Sequence, residues 1–240
     1  MDEQVATFEI ISSVGGKMEI LPGIPEHCRK YQIAASESYH GMHGPNTMLF
    51  QCHRGKDFEC WNSWYINETG STVDAKANMP LLEIRIPFFN HFPSIWDGFG
   101  HTDLLEKQSD VNFVPFANNE AHFEKGKHCQ TVDFHVTKEF LGEYASRYKQ
   151  VGLFLEQVEN NEHAALFDQS FILSPLMVTH AQHILSYNGS PENAAAYFEH
   201  SFHQFMLLLF DRIGQTEIKK QKFSKYDIER AGAFCKADRS

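Results

Sequence analysis

Hydrophobic and polar positions alternate along most of residues 1–136. Leu82, Ile84 and Ile86 share one side of an extended segment, while Glu83 and Arg85 share the other. The same two-residue period recurs, between turns rich in Gly, Pro and Asn, in residues 48–52, 58–66, 111–113 and 131–136. Period-two patterning in short segments predicts antiparallel strands arranged as a sandwich or a barrel.

The hydrophobic period changes to about 3.6 residues after position 136. Thr137 is a typical N-cap residue and predicts a helix that runs towards Val158. The pairs Ser174–Pro175 and Ser190–Pro191 each combine a capping hydroxyl with a proline at the first helical position, and they predict two further helices.

These patterns predict an α+β fold in three parts. Residues 1–136 form an antiparallel β-sandwich or β-barrel, residues 137–214 form a helical subdomain, and residues 215–240 form a linker and one more helix. The linker is placed at residues 215–222 because they are polar and basic, and Ser224 can cap the helix that follows.

Composition limits the classes of function. The formal net charge of -10 argues against nucleic-acid binding by these residues, since contacts to phosphates need a basic surface. The amino terminus lacks the features of a signal peptide, and no apolar run is long enough to cross a bilayer. The 5 cysteines form no C-x-x-C pair, which is typical of free thiols in a reducing compartment. We therefore expect a cytoplasmic protein without membrane contact.

The helix predicted at residues 191–213 is apolar on nearly every side in its second half. Such a helix must be buried on more than one side. One side can cover the rest of the subunit and the other can meet a second copy, which predicts a homodimer. The alternative is an ordinary core helix within one subunit. The expected interface residues are Phe198, Phe202, Phe205, Met206, Leu208 and Leu209.

Polar and aromatic side chains share faces of several predicted strands. In a closed barrel one face looks inward, so that these side chains would line a cavity for a small polar or amphipathic ligand. The alternative is that the charged members face solvent while Val, Ile and Phe fill the interior. The expected ligand-binding residues are Trp61, Trp64, Tyr65, Glu83, Arg85, Phe113, Asp133 and His135.

The 14 histidines raise the question of a metal site. Three pairs have i, i+3 spacing, and the two on predicted helices would supply four nitrogen ligands if they met. Known catalytic sequence motifs are absent. We expect no metal, no cofactor and no catalytic residues. The histidine pairs are His40 and His43, His180 and His183, and His200 and His203.

Several segments resemble, in order and spacing, the AraC-type transcriptional regulators of the subgroup common in Bacteroidetes. They are residues 58–66, 79–88, 111–115, 123–141 and 196–209. The last residues, 222–240, resemble the opening helix of the DNA-binding region of that family. The resemblance implies a cupin-like barrel that binds a small effector, followed by helices that dimerise. It also implies that two helix-turn-helix units would follow residue 240.

The function expected from these observations is that of a ligand-sensing and dimerising part of an AraC-family regulator, not an enzyme. Its partners would be an unidentified small-molecule effector, a second copy of the chain, and DNA only through a region outside these 240 residues. Two alternatives stay open. One is a stand-alone cupin-like, metal-dependent enzyme, and the other is a natural truncated regulator that forms mixed dimers with a full-length relative.

Overall fold

The computed structural model describes the backbone of residues 8–237 and the side chains of residues 9–215. It is an α+β fold, as the sequence predicts, in which most strands precede the α-helices and two short strands lie between the second and third α-helices. The strands are β1 (Phe8–Ser12), β2 (Gly16–Lys17), β3 (Ile20–Pro22), β4 (Glu37–His43), β5 (Asn46–Arg54), β6 (Phe58–Ile66), β7 (Ser71–Ala77), β8 (Leu81–Phe89), β9 (Ser94–Trp96), β10 (Gly100–Thr102), β11 (Gln108–Val114), β12 (Ala117–Phe123), β13 (Cys129–Val136), β14 (Ala164–Ala165) and β15 (Phe171–Ile172).

The strands form two antiparallel sheets. The first is 6-stranded in the order β10-β9-β12-β7-β1-β2, and the second is 9-stranded, with the path β14-β11-β8-β13-β6-β5-β4-β3 and with β15 beside β11. Within the described residues no strand pairs across the two sheets, so the closed barrel that the family resemblance implies is instead an open two-sheet sandwich. The turn after Phe123 shows how the sandwich stays open. It carries the chain from β12 in the smaller sheet to β13 in the larger sheet, and these two strands are not hydrogen-bonded to each other.

Within residues 8–237, four α-helices and a short 3₁₀ helix (Glu26–Tyr31) accompany the sheets. The Thr137 side chain accepts a hydrogen bond from the Phe140 amide and so confirms the predicted N-cap. The Ser174 side chain accepts one from the Met177 amide in the same way. The helix predicted to run unbroken from Thr137 is divided in two. The helices are α1 (Lys138–Ala145), α2 (Lys149–Glu159), α3 (Pro175–Leu185) and α4 (Pro191–Ala237).

Helix α4 is 47 residues long and continues through residues 215–222 without a break. The linker predicted there is therefore wrong, and Ser224 lies inside a helix and does not cap one. Residues 215–222 contain neither proline nor glycine, and Glu, Lys and Gln favour helix, so their polarity does not interrupt it. The side chains of residues 216–222, and residues 238–240, lie outside the described part.

The helices pack on the outer face of the larger sheet and form the main core with it. Phe202 stacks on Phe58 with ring centroids 4.0 Å apart, and Phe198 stacks on His53 at 3.7 Å. The apolar stripe predicted as a dimer face thus lies inside the subunit, because the sheet offers it an apolar partner. Homodimerisation itself stays a prediction. Five of the six predicted interface residues are no more than 4% exposed, and the sixth, Leu208, is half-buried against the same core. The five are Phe198, Phe202, Phe205, Met206 and Leu209.

The inner faces of the two sheets meet in a second, smaller apolar cluster. Its buried members are Ile10, Met18, Met48, Val73, Ala121 and Phe123. The four cysteines with described side chains, Cys28, Cys52, Cys60 and Cys129, are free and buried. Within residues 8–237 no helix combines the length and the apolar character that crossing a lipid bilayer requires.

Candidate functional site

The sandwich is closed at one end by the smaller apolar cluster, and polar side chains line its inner face towards the other end. Exposure of these side chains decreases inward, from 56% at Glu37 through 30% at His135 to 13% at Glu83. These side chains lie on the face of the larger sheet that is turned towards the smaller sheet. We call this region the polar cleft and define it by Glu59, Trp61, Glu83, Arg85, Asp110, Asp133 and His135.

A row of alternating charge crosses the polar cleft on four adjacent strands. Arg54, Glu59, His135 and Glu83 are direct cross-strand neighbours in that order. The Arg54 Nε donates to Glu59 Oε1 at 2.9 Å. The His135 ring bridges two carboxylates, with Nδ1 3.8 Å from Glu59 Oε2 and Nε2 3.5 Å from Glu83 Oε1. Opposite charges on neighbouring strands stabilise this arrangement of the sheet.

The carboxylate of Asp133 lies deeper and is incompletely hydrogen-bonded. Asp133 is 7% exposed and lies in register between Trp61 and Arg85. Its Oδ2 accepts a hydrogen bond from the Thr131 hydroxyl at 2.7 Å, whereas its Oδ1 has no partner among the described residues. A buried carboxylate oxygen without a donor is uncommon in native proteins and calls for an explanation.

Arg85 is held by groups from both sheets. Its guanidinium donates to Ser94 Oγ at 3.3 Å and to Thr102 Oγ1 at 3.2 Å, and it lies 3.4 Å from Asp110 Oδ2. It also stacks over the Trp96 ring, 4.9 Å from the centroid. These contacts span the sandwich and fix the distance between the sheets at the inner end of the polar cleft.

Trp61 lies beside Asp133 on the inner face and is half-buried. Its indole Nε1 donates to Glu59 Oε2 at 3.0 Å, which fixes the ring. On the facing sheet the small side chains of Ala77 and Ala117 are cross-strand neighbours and are also half-buried. An orientated, half-buried aromatic ring offers a surface on which a small molecule can lie.

The ionisable side chains of the polar cleft shift one another's pKa values. A hydrogen bond from His135 is the main reason why the pKa of Glu59 is lowered to about 2. Burial alone would lower the pKa of His135, but the carboxylates of Glu59, Glu83 and Asp133 outweigh it and raise that pKa to about 9. Burial, followed by the repulsion of Glu83, raises the pKa of Asp133 to about 8. Perturbation of this size in a cleft is typical of functional sites.

The structure brings together six of the eight side chains that the sequence predicts for a ligand site, although one of them lies at the closed end. Trp61, Glu83, Arg85, Asp133 and His135 belong to the polar cleft. Tyr65 shares their face but packs against Phe92 and Phe123, and its ring centroid is 5.0 Å from each of theirs.

The other two predicted side chains lie elsewhere, because a two-residue period alternates the face of every strand. Trp64 points to the opposite face of β6 and stacks on Tyr31 with centroids 4.2 Å apart. Phe113 is part of the core under the helices.

The sequence analysis missed four contributors to this charge network, namely Glu37, Arg54, Glu59 and Asp110. The signal for two of the carboxylates was present in the sequence. Glu59 is two residues from Trp61 and so shares its face of β6, and Asp110 is three residues from Phe113 and so lies on the opposite face of β11. Both carboxylates follow from extending the period by one step along strands that were already predicted.

The helical histidine pairs approach one another without forming a metal site. The rings of His180 and His183 have centroids 5.8 Å apart, and burial, followed by the charges of His183 and His200, lowers the pKa of His180. Among the described residues no three His, Cys, Asp or Glu side chains are arranged to hold a metal ion. His40 and His43 lie on opposite faces of β4, as three-residue spacing in a strand requires.

A separate surface concavity of about 520 Å³ lies near β3 and β4. Its lining contains one charged side chain, Arg29, whose guanidinium is already 2.8 Å from Glu26. Because the polar cleft combines a buried, unpaired carboxylate oxygen with a network of ion pairs, we place the candidate site there and not in this concavity.

No family model matches the chain, and no curated protein matches it in sequence. Among solved structures it is similar to the EutQ protein of Clostridium difficile, with 13% identity over 38% of this chain and 69% of that chain, at a TM-score of 0.29. It is similar to vicilin from Corylus avellana (hazelnut), with 7% identity over 44% of this chain and 31% of that one, at a TM-score of 0.32. It is also similar to the AraC-like transcriptional activator CuxR, with 7% identity over 75% of this chain and 68% of that chain, at a TM-score of 0.34. Similarities at this level carry no argument about function.

Proposed function

We propose that this chain is the effector-sensing and dimerising part of an AraC-type transcriptional regulator, and that the polar cleft of its cupin-like sandwich binds the effector. The family assignment rests on the sequence resemblance. The structural support is a single relationship. Strand β13 carries Asp133 and His135 on its inner face, and between them Phe134 on its outer face, where it contacts Phe202 and Phe205 of α4.

The proposed mechanism is a shift in population between two arrangements of α4. An effector that pairs with Asp133 or His135 acts on the strand whose other face packs against α4. Helix α4 then continues to Ala237, towards the position where the resemblance expects a DNA-binding region. The effector changes the equilibrium only by the difference between its affinities for the two arrangements. The proposed role is binding, with no chemical turnover.

Effector binding can be tested by thermal unfolding with a panel of sugars, amines and carboxylates, using two tryptophan variants. Trp61→Phe alters the polar cleft, and Trp64→Phe is the matched control because Trp64 stacks on Tyr31 at the opposite face. A ligand at about 100 times its Kd adds about 2.7 kcal/mol, which raises the midpoint by roughly 5–10 °C in a chain of this size.

We expect at least one compound to raise the midpoint of the wild type and of Trp64→Phe, and to have less effect on Trp61→Phe. A panel in which no compound separates the two variants contradicts a ligand site in the polar cleft.

The regulatory part of the proposal has its own test, the gene sequence beyond the codon of Ser240. We expect an open frame that encodes two basic helix-turn-helix units. An immediate stop codon contradicts the proposal that this chain controls its own DNA-binding region. Analytical ultracentrifugation tests the homodimer, and a purely monomeric protein at micromolar concentration contradicts it.

A further inference from the structure

We infer that the ligand of the polar cleft is a small organic cation, an ammonium or a guanidinium, which the carboxylates of Asp133 and Glu83 hold beside the ring of Trp61. The inference rests on the proposed function only in treating the polar cleft as a ligand site. It names the chemical class of the ligand, which the resemblance to regulators does not supply.

One oxygen of the Asp133 carboxylate is unpaired within the described part of the chain. The side chain is buried on the inner face, its Oδ2 is occupied by Thr131, and its Oδ1 has no donor among the described residues. Leaving a carboxylate oxygen buried without a donor costs free energy. A ligand that donates a hydrogen bond to Oδ1 removes that cost, and a charged donor does so more strongly than a neutral one.

The charge balance around that oxygen also favours a cation. Arg85 lies opposite Asp133 in register, but its guanidinium is committed to Ser94, Thr102 and Asp110. When Asp133 is ionised, the network has more carboxylates than basic groups. The carboxylates are Glu37, Glu59, Glu83, Asp110 and Asp133, and the basic groups are Arg54, Arg85 and His135. A cation corrects this excess, whereas an anion would increase it.

Two of these carboxylates repel each other. Glu83 and Asp133 are close enough that Glu83, after burial, is the main cause of the raised pKa of Asp133. Without a ligand, Asp133 therefore holds a proton near neutral pH. A cation between the two carboxylates lets Asp133 ionise and replaces that proton. The half-buried face of Trp61 next to Asp133 adds a cation–π contact.

The test is isothermal titration calorimetry with four probes at pH 7. Putrescine and agmatine supply an ammonium and a guanidinium on a four-carbon chain, while butanediol and succinate are their neutral and anionic counterparts. We expect the two cations to bind and the counterparts to bind at least about tenfold more weakly. We also expect cation binding to release about one proton, measured in two buffers of different ionisation enthalpy, because Asp133 has a pKa of about 8.

Two variants locate the cation. Asp133→Asn and Glu83→Gln should each weaken binding by about tenfold or more. Glu143→Gln, which removes an exposed carboxylate from α1, is the matched control and should leave binding unchanged. Circular dichroism and the unfolding midpoint establish that each variant is folded, and the proton release of the wild type needs no variant.

The outcomes separate this inference from the proposed function. Butanediol or succinate binding as tightly as the cations, with sensitivity to Trp61→Phe, overturns the cation and leaves the ligand site in place. Failure of both cations to bind at about 10 mM also overturns the cation. If the wider panel of compounds fails as well, the polar cleft is not a ligand site and both proposals fall.

Discussion

The rings of Phe134 and Phe205 lie with centroids 5.1 Å apart and planes inclined by 39°. Both side chains are fully buried. Phe134 comes from the outer face of β13 and Phe205 from the first third of α4, so this contact joins the sheet that carries the polar cleft to the long helix. The neighbours of Phe134 in sequence, Asp133 and His135, point into the polar cleft.

Truncation of Phe205 should destabilise the fold strongly. Phe205→Ala leaves a cavity between β13 and α4, and we expect a loss of about 3–5 kcal/mol in the free energy of unfolding. Leu207→Ala, two positions further along α4, removes a side chain that is 48% exposed and should change stability by about 0.5 kcal/mol or less. Urea unfolding of both variants measures the difference, and equal losses would show that α4 is not packed on the sheet as described.

Arg85 should be the most sensitive charged residue in the polar cleft. Arg85→Met removes the buried partner of Asp110 and the bonds to Ser94 and Thr102, and we expect a loss of about 3–5 kcal/mol. Arg54→Met breaks an ion pair in which the arginine side chain is 44% exposed, so its loss should be about 1 kcal/mol or less. Chemical unfolding at pH 7 compares them. Arg85 would have no structural role of this kind if the two losses were the same.

Stability should decrease in the alkaline range because of His135. Its pKa is raised from 6.5 to about 9 in the folded chain, so the folded state binds a proton that the unfolded state has released between these values. The stability that His135 contributes is present below pH 6.5 and is lost as the pH rises through 9. The groups that face its ring are Glu59 from β6 and Glu83 from β8, with Asp133 on its own strand.

Unfolding free energies measured between pH 6.5 and 9 provide the test. The pKa of Asp133 is also raised, to about 8, so the free energy of unfolding decreases with rising pH on account of Asp133 as well, up to about pH 8. His135→Gln should therefore flatten the curve most clearly above pH 8. His200→Gln, on the exposed face of α4, should leave the slope as it is in the wild type. An unchanged slope in His135→Gln would rule out the proposed coupling to the two glutamates.

The start of α1 depends on the hydroxyl of Thr137. The Phe140 amide donates to Thr137 Oγ1 at 3.3 Å, and Thr137→Ala should lower the free energy of unfolding by about 1 kcal/mol. Thr137→Ser keeps the hydroxyl and should retain most of that energy. Thermal or urea unfolding of the pair separates the cap from the lost methyl group, and a serine variant as unstable as the alanine variant would contradict a capping role.

Capping residues and hydrophobic periodicity predicted individual helices and strands better than they predicted how the strands pair. The caps at Thr137 and Ser174 were confirmed because a hydroxyl that accepts an amide three residues later is a local interaction. The predicted linker was wrong because polar composition describes solvent exposure and not backbone conformation. The closed barrel was wrong because pairing between sheet edges depends on contacts far apart in sequence.

The sequence by itself determined which side chains share a face. The two-residue period put Glu83 with Arg85 and Asp133 with His135, since successive residues of a strand alternate between its sides. Only the tertiary structure decided what each face meets. Both faces of the larger sheet are covered, one by the helices and one by the smaller sheet, so the polar face became a cleft instead of a solvated surface. The Phe202 stripe likewise found its partner within the subunit, because the apolar face of the sheet was there to bury it.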